Sequence, residues 1–323
     1  MENNTETDVT EFILIGLSQD VKTNTLLFVL FLSMYIFTVC GNVILTCVII
    51  TSPHLHTPMY YFICNLSFLD LFYSSCTVPN MLLDIITVKG GRISHTECIT
   101  QMFTSLFLGE TECYLLAVMA YDRYVAICFP LRYRLIMSWK KCQTIDSIVW
   151  TGSLLNSTIP IISKPFRFCK GNIVDHFVCE ILALLKLSCG DILYYEVMIY
   201  FSSFFSLFFP FAFILMSYVC IIRAVLKIRS VEGRTKAFST CASHLTVVFM
   251  FYGTSMTMYL GPRKYTSEKN KFICIIYFIC IIYAIITPML NPMIYSLRNN
   301  EVKRAVKKLV KKNHLNTIWG CAV

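Results

Sequence analysis

Charge is scarce in this 323-residue chain: 15% of its residues are Asp, Glu, Lys or Arg, against about a quarter in soluble domains. With 56% hydrophobic residues and a mean hydropathy of +0.63, that shortage excludes an ordinary water-soluble globule. Other absences narrow the class further. No glycine-rich phosphate loop, nucleophile triad or metal-spaced Cys/His constellation is visible, so an enzyme is not expected. The first twenty residues lack a basic stretch followed by a compact apolar core and small residues. No cleavable leader is therefore read there, and the first apolar run is expected to serve as its own signal-anchor.

What is present is a series of apolar runs near 25–50, 58–86, 98–128, 143–162, 193–226, 237–260 and 271–297, each long enough to cross a bilayer. The fourth is the weakest, because Asp146, Asn156 and Pro160 interrupt it. The expected fold is an all-α membrane protein: a seven-transmembrane helix bundle over 25–297, an extracellular segment 1–24, and a cytoplasmic segment 298–323. In that last segment Val302, Ala305, Val306, Leu309 and Val310 form an apolar stripe opposite Lys303, Lys307, Lys308 and Lys311. This predicts a short amphipathic C-terminal helix lying on the inner leaflet lipid. Lys and Arg crowd the loops on one side, with Arg132, Arg134, Lys140, Lys141, Arg223 and Lys227. That side is read as the cytoplasm, with the N-terminus outside. The topology accounts for the net charge of +9, and nucleic acid is not an expected partner.

Asn3 heads a glycosylation acceptor on the outer side, whereas the same pattern at Asn65 and Asn156 falls inside spans and is rejected. Of sixteen cysteines, those within spans read as small apolar residues. Cys98, Cys169, Cys179 and Cys189 lie on the oxidising side, where four thiols allow three pairings. A zinc site with nearby His176 is disfavoured in that compartment.

Charges inside the spans are functional candidates. Met119-Ala120-Tyr121-Asp122-Arg123-Tyr124-Val125-Ala126-Ile127-Cys128 ends the third run with a carboxylate beside a guanidinium, either a static ion pair or a switch facing the cytoplasm. Asp70 and Glu112 are either protonated and bonded to Asn42, Ser67 or Asn291, or share a cation through oxygen ligands. Glu110 points roughly 200° from Glu112 on a helix. It is either neutral and bonded to a hydroxyl of the fourth or fifth span, or an anchor for a polar or basic ligand group. Three stripes recur at helical spacing: Met102, Ser105, Leu106 and Gly109; Tyr252, Met256 and Tyr259; Phe201, Phe204, Phe205 and Phe208, with Ser202 and Ser203 alongside. Periodicity alone favours packing for such stripes over a pocket. Pro210 marks a kink site in the fifth run. The sixth has no proline from Lys236 to Leu260 and could bend only at Gly253 or by local distortion.

The decapeptide resembles the signature of vertebrate odorant receptors of the rhodopsin-like G-protein-coupled class, and the resemblance covers almost the whole chain. It extends through Gly41-Asn42, Leu55-His56-Thr57-Pro58-Met59-Tyr60 and Leu66-Ser67-Phe68-Leu69-Asp70. It continues in Lys186-Leu187-Ser188-Cys189, Ser217-Tyr218, Lys236-Ala237-Phe238-Ser239-Thr240-Cys241-Ala242-Ser243-His244 and Pro288-Met289-Leu290-Asn291-Pro292-Met293-Ile294-Tyr295. The loop text is closer to the terrestrial than to the fish-like type. The resemblance implies disulfides Cys98–Cys179 and Cys169–Cys189 and an allosteric sodium ion at Asp70 and Glu112, with no other cofactor. It also implies a ligand site between the third, fifth and sixth helices, involving Met102, Ser105, Leu106, Gly109, Glu110, Ser203, Phe204, Tyr252, Met256 and Tyr259. The implied ligand is a small, volatile, largely apolar odorant. Asp122, Arg123, Tyr124, Tyr218, His244, Asn291, Pro292 and Tyr295 are the implied switch toward a stimulatory, olfactory-type heterotrimeric G protein that raises cyclic AMP at the plasma membrane. His244 could reach the third helix or simply pack as a neutral ring. A same-fold receptor for a non-odorant metabolite outside the nose is the main rival, and a transporter or channel a remote one.

Overall fold

A computed structural model of the protein describes residues 9–15, 17–18, 20–87, 91–227, 230–260, 277–297 and 301–308. Seven long helices run through these residues: α1 Val21–Thr51, α2 Pro58–Ile86, α3 His95–Cys128, α4 Trp139–Ser163, α5 Ile192–Leu226, α6 Val231–Leu260 and α7 Tyr277–Ser296. A short α8 covers 301–308. Polar first turns carry several helices beyond their apolar runs. Ser94 and Glu97 form a reciprocal capping box ahead of α3, and Asp20 Oδ2 accepts the Thr23 amide at 2.9 Å ahead of α1. By length and hydropathy alone, α1, α3, α5 and α7 suffice to cross a membrane. The other three are more polar: α2 buries Asp70 and Asp84, while α4 and α6 start with charged turns.

α3 is the central strut, packed against α2, α4, α5 and α6. α1 closes on α7, where Gly41 matters because a Cβ there would sit 3.1 Å from Pro292 Cγ. Pro292 has no N–H to give the carbonyl four residues back. That carbonyl, Pro288 O, instead accepts from Asn42 Nδ2 of α1 at 3.1 Å. The expected irregularity near Pro210 takes the form of a π turn over Phe204–Phe208 immediately before it. A second π turn, Ile282–Ile286, lies in α7. α6 is continuous through Gly253.

The end carrying the N-terminal segment has a cap that hydropathy gave no reason to expect. β1 (Glu11–Leu14) pairs antiparallel with β2 (Gly91–Ser94) and parallel with β3 (Ile173–Val174), giving the order β2-β1-β3. Disulfides Cys98–Cys179 and Cys169–Cys189 tie the long α4–α5 loop to α3 and to itself. Gln101 of α3 reinforces the first: its Oε1 accepts the Cys179 amide at 2.9 Å and its Nε2 donates to Cys76 O of α2 at 3.0 Å. Phe12, Leu14, Ile93, Met102, Phe168 and Val174 form the apolar centre of the cap. Asn3 lies outside the described residues.

At the other end the expected surface helix is partly corrected. In α8, Val302 and Ala305 are buried against the bundle core and not free to face lipid, while Lys303, Arg304, Lys307 and Lys308 are exposed. Tyr60 Oη of α2 donates to Glu301 Oε2 at 3.2 Å, fixing its start. Leu309, Val310 and Lys311 lie outside the described residues.

His176 in the α4–α5 loop is buried, stacked on Phe177 at 4.6 Å, and accepts the Val178 amide at Nδ1. Burial pushes its pKa down to about 4, against roughly 6.5 in an unfolded chain. The folded cap thus favours the neutral ring, whose contribution is complete above about pH 6.5 and declines between there and about 4. Protection factors of cap amides near Val178, taken relative to the intrinsic exchange rate at each pH, should fall progressively as pH drops across that window, and His176→Phe should flatten the response. Phe12→Ala, which empties a fully buried aromatic site, should cost about 3–5 kcal/mol and lower the Tm of detergent-solubilised protein.

Candidate functional site

Beneath the cap, α3, α4, α5, α6 and α7 enclose a cavity of about 90 Å³. Its wall includes Ser105, Leu106, Gly109 and Glu110 of α3, Ser203 of α5 and Tyr259 of α6, bringing six of the expected ligand-site residues together. The other four stand elsewhere. Met102 is buried in the cap cluster. Tyr252 is wholly buried and donates its hydroxyl to Cys113 O of α3 at 2.7 Å, tying α6 to α3. Met256 packs on the bundle core. Phe204 is 44% exposed on the outside of α5, where it stacks on Phe208 at 5.1 Å. The phenylalanine stripe therefore faces outward, and Ser202, Ser203 and Ser206 face the cavity. In lipid, apolar rings lose nothing by pointing out, whereas hydroxyls need partners within the bundle.

Glu110 is the ionisable carboxylate of the cavity wall. Its Oε1 accepts from Asn156 Nδ2 at 2.7 Å and from Ser202 Oγ at 2.9 Å. Ser157 Oγ lies 3.2 Å from Oε2. The bonding to hydroxyls of α4 and α5 and the place in the cavity wall occur together, so the two readings of Glu110 are not exclusive. Asn156 and Ser157 were missed as site residues because they carried only a rejected glycosylation pattern. Three polar residues in succession inside an apolar run were the available signal. Tyr283 was missed too; its hydroxyl enters the wall from the π turn of α7, opposite Gly109.

Further along α3, Asp70 and Glu112 meet. Asn291 Nδ2 donates to both Asp70 oxygens at 3.1 Å, while Asn42 bonds elsewhere and is no partner of Asp70. Glu112 Oε1 and Asn291 Oδ1 are buried without hydrogen-bond partners among the described residues. Unpartnered buried oxygens beside a carboxylate suit a hard cation.

At the tail end the expected Asp122–Arg123 pair is corrected. Among the described residues the ion pairs are Arg92–Glu11 and Lys164–Asp191, both at the cap end. Neighbours in sequence do not face one another on a helix. Asp122 Oδ1 instead accepts from Tyr133 Oη of the following loop at 2.6 Å. Arg123 Nε is buried without a partner among the described residues. His244 is fully buried beside the Leu116 backbone of α3; its Nδ1 bonds Tyr218 Oη of α5 at 2.8 Å, and Nε2 has no hydrogen-bond partner among the described residues. Tyr295 Oη is likewise buried, with no hydrogen-bond partner among the described residues. Tyr124 packs edge-on to Phe129 at 5.7 Å.

The family model described as "Olfactory receptor" matches residues 31–313. The chain is 46% identical to human Olfactory receptor 13F1, over 97% of each chain. It is 45% identical to mouse Olfactory receptor 2A7, over 95% of this chain and 98% of that one. To the dog Olfactory receptor-like protein OLF3 it is 44% identical, over 96% of both.

A methyl group on Gly109 would lie 2.5 Å from Tyr283 Oη, so Gly109→Ala must displace that ring from the cavity wall. The variant is expected to reach the cell surface at near wild-type level, by surface immunostaining, and to shift the concentration of any cavity ligand needed for half-maximal response by about tenfold. An unchanged response would place ligands away from Gly109 and Tyr283.

Proposed function

The chain belongs to the olfactory receptor family, seven-helix membrane receptors that are not enzymes, and on that premise we propose that it binds small, largely apolar odorants in the α3–α7 cavity and activates a stimulatory, olfactory-type G protein, raising cyclic AMP. The observation that carries this reading is the layout of α3. One helix holds the cavity wall from Ser105 to Glu110 and the Asp122-Arg123 cluster, separated by roughly 20 Å of axis. A ligand at one end can bias the other only through its differential affinity for two states of the bundle.

In the resting arrangement Tyr133 holds Asp122, and Tyr218 holds His244. Outward movement of the tail end of α6 would break the Tyr218–His244 bond and free Tyr218 to meet Arg123, whose Nε has no partner among the described residues. Tyr295, beyond the Pro292 interruption, is the α7 member of this set. The opened face would receive the G protein, with the fully exposed Leu131 of the adjoining loop as an apolar contact. A sodium ion held by Asp70, Glu112 and Asn291 would favour the resting state by offsetting one carboxylate charge and bridging oxygens of α2, α3 and α7. The basic loops support an extracellular N-terminus and a cytoplasmic tail, and Asn3 would then be available for glycosylation.

Cells expressing the receptor with a cyclic-AMP reporter should respond to members of a chemically diverse odorant panel; silence of a surface-verified receptor across the panel would overturn the assignment. Tyr133→Phe removes the hydroxyl from Asp122. It should raise ligand-independent cyclic AMP by up to roughly tenfold, the equivalent of one hydrogen bond to a carboxylate. An unchanged basal level would show that this bond does not hold the resting state.

A further inference from the structure

We propose that the cavity selects small alkyl or arylalkyl amines in their ammonium form, with Glu110 as the counter-ion; this rests on the cavity being the odorant site. Hydrogen accounting around Glu110 leads there. Asn156 Nδ2 uses one hydrogen on Oε1 and directs the other to Ser202 Oγ at 2.8 Å. Ser202, already accepting, gives its own hydrogen to Oε1 at 2.9 Å. Two donors fill the two lone pairs of Oε1.

Oε2 differs. Its one hydrogen-bond partner among the described residues is Ser157 Oγ at 3.2 Å, and that hydroxyl has a nearer acceptor, Ser153 O, at 2.8 Å. Ser157 has a single hydrogen. While it serves Ser153, the contact with Oε2 is satisfied only by a proton on Glu110 or by a donor arriving from the cavity. All three side chains that touch the carboxyl are neutral. No Lys, Arg or His is among the described residues of the cavity wall. A carboxylate in the bilayer interior needs a cationic partner, and the described protein supplies none.

An ammonium ligand meets each demand. It brings both the missing donor and the missing charge, whereas an alcohol brings the donor alone and an ester or ketone neither. Alkylammonium groups resemble the lysine head group, ionised up to roughly pH 10.4. The rest of the wall fits the same ligand. The rings of Phe251, Tyr259 and Tyr283 line the cavity, and aromatic faces attract cations. Leu106, Ile199 and Leu207 give the hydrocarbon portion an apolar bed.

The test uses the full-length receptor in reporter cells, with hexylamine, hexanol and hexanal as a matched chain-length series and phenethylamine against phenethyl alcohol as a second. The amines should act at least about tenfold more potently than the matched neutral compounds, as expected for replacing a neutral by a charge-assisted hydrogen bond. Glu110→Gln, which keeps the shape and an acceptor at Oε1, should remove that advantage, bringing the amine-to-alcohol potency ratio to about one whatever it does to the absolute potencies. Wild-type preference for the alcohols or aldehyde, or an amine advantage that survives in Glu110→Gln at normal surface level, would overturn the proposal. The wild-type potency order decides the matter even if the variant is poorly expressed. Neutral odorants activating while amines do not would leave the odorant-receptor reading standing and refute this one.

Discussion

Within lipid, a polar group that is not satisfied by the protein is satisfied by nothing, and this constraint organises the bundle. The α1–α7 contact is its plainest expression. Pro292 orphans a carbonyl in α7, and Asn42 crosses from α1 to take it, with Gly41 allowing the approach. Gln101 does the same between α2, α3 and the disulfide-linked loop, and Tyr252 between α6 and α3. In each case one polar side chain bonds a backbone group of another helix and so makes a helix–helix contact. The tertiary structure is thus addressed through polar atoms, because apolar side chains have no preference between a neighbouring helix and a lipid tail.

The same constraint shapes the cavity. On α5 Ser202, Ser203 and Ser206 turn in and Phe201, Phe204, Phe205 and Phe208 turn out, the reverse of a soluble helix. A cavity built this way is apolar in area but carries a concentrated polar corner where α3, α4 and α5 meet at Glu110. Polarity left unpaired after the helices have satisfied one another is what remains for a ligand or an ion. Such remainders lie at Glu112 with Asn291, and at Arg123 with His244 and Tyr295; at Glu110 the weak point is Oε2, whose Ser157 contact competes with Ser153 O.

The seven helices were legible in the sequence because hydropathy over twenty or so residues is a strong signal. The ends of the helices were less so, since capped polar turns such as Ser94 to Glu97 lie outside the apolar run. The α3 wall was also legible: Ser105, Leu106, Gly109 and Glu110 are small or polar at helical spacing. For the aromatic stripes of α5 and α6, periodicity identified a face and favoured packing, while the resemblance placed them at the ligand; of these aromatic stripes Tyr259 is in the cavity wall. The adjacency of Asp122 and Arg123 suggested an ion pair that the described residues do not make. Tyr133, the real partner, lies eleven residues on in a loop whose path no periodicity describes.

The sheet over the cavity has a consequence in time. Ile13 pairs with Ile173 and Phe12 with Ile93, so β1 is made first and must wait for partners translated much later. Until α2 and α3 are inserted β1 lacks one neighbour, and until α4 has followed it lacks the other. Over that interval Phe12 is an unsheltered aromatic on a tethered strand, and the ring of contacts with His95 and Phe168 can close only when the first four helices are in place. Maturation of the cap is therefore a late, long-range step in the biogenesis of this receptor, and its rate is set by the order in which the chain is made.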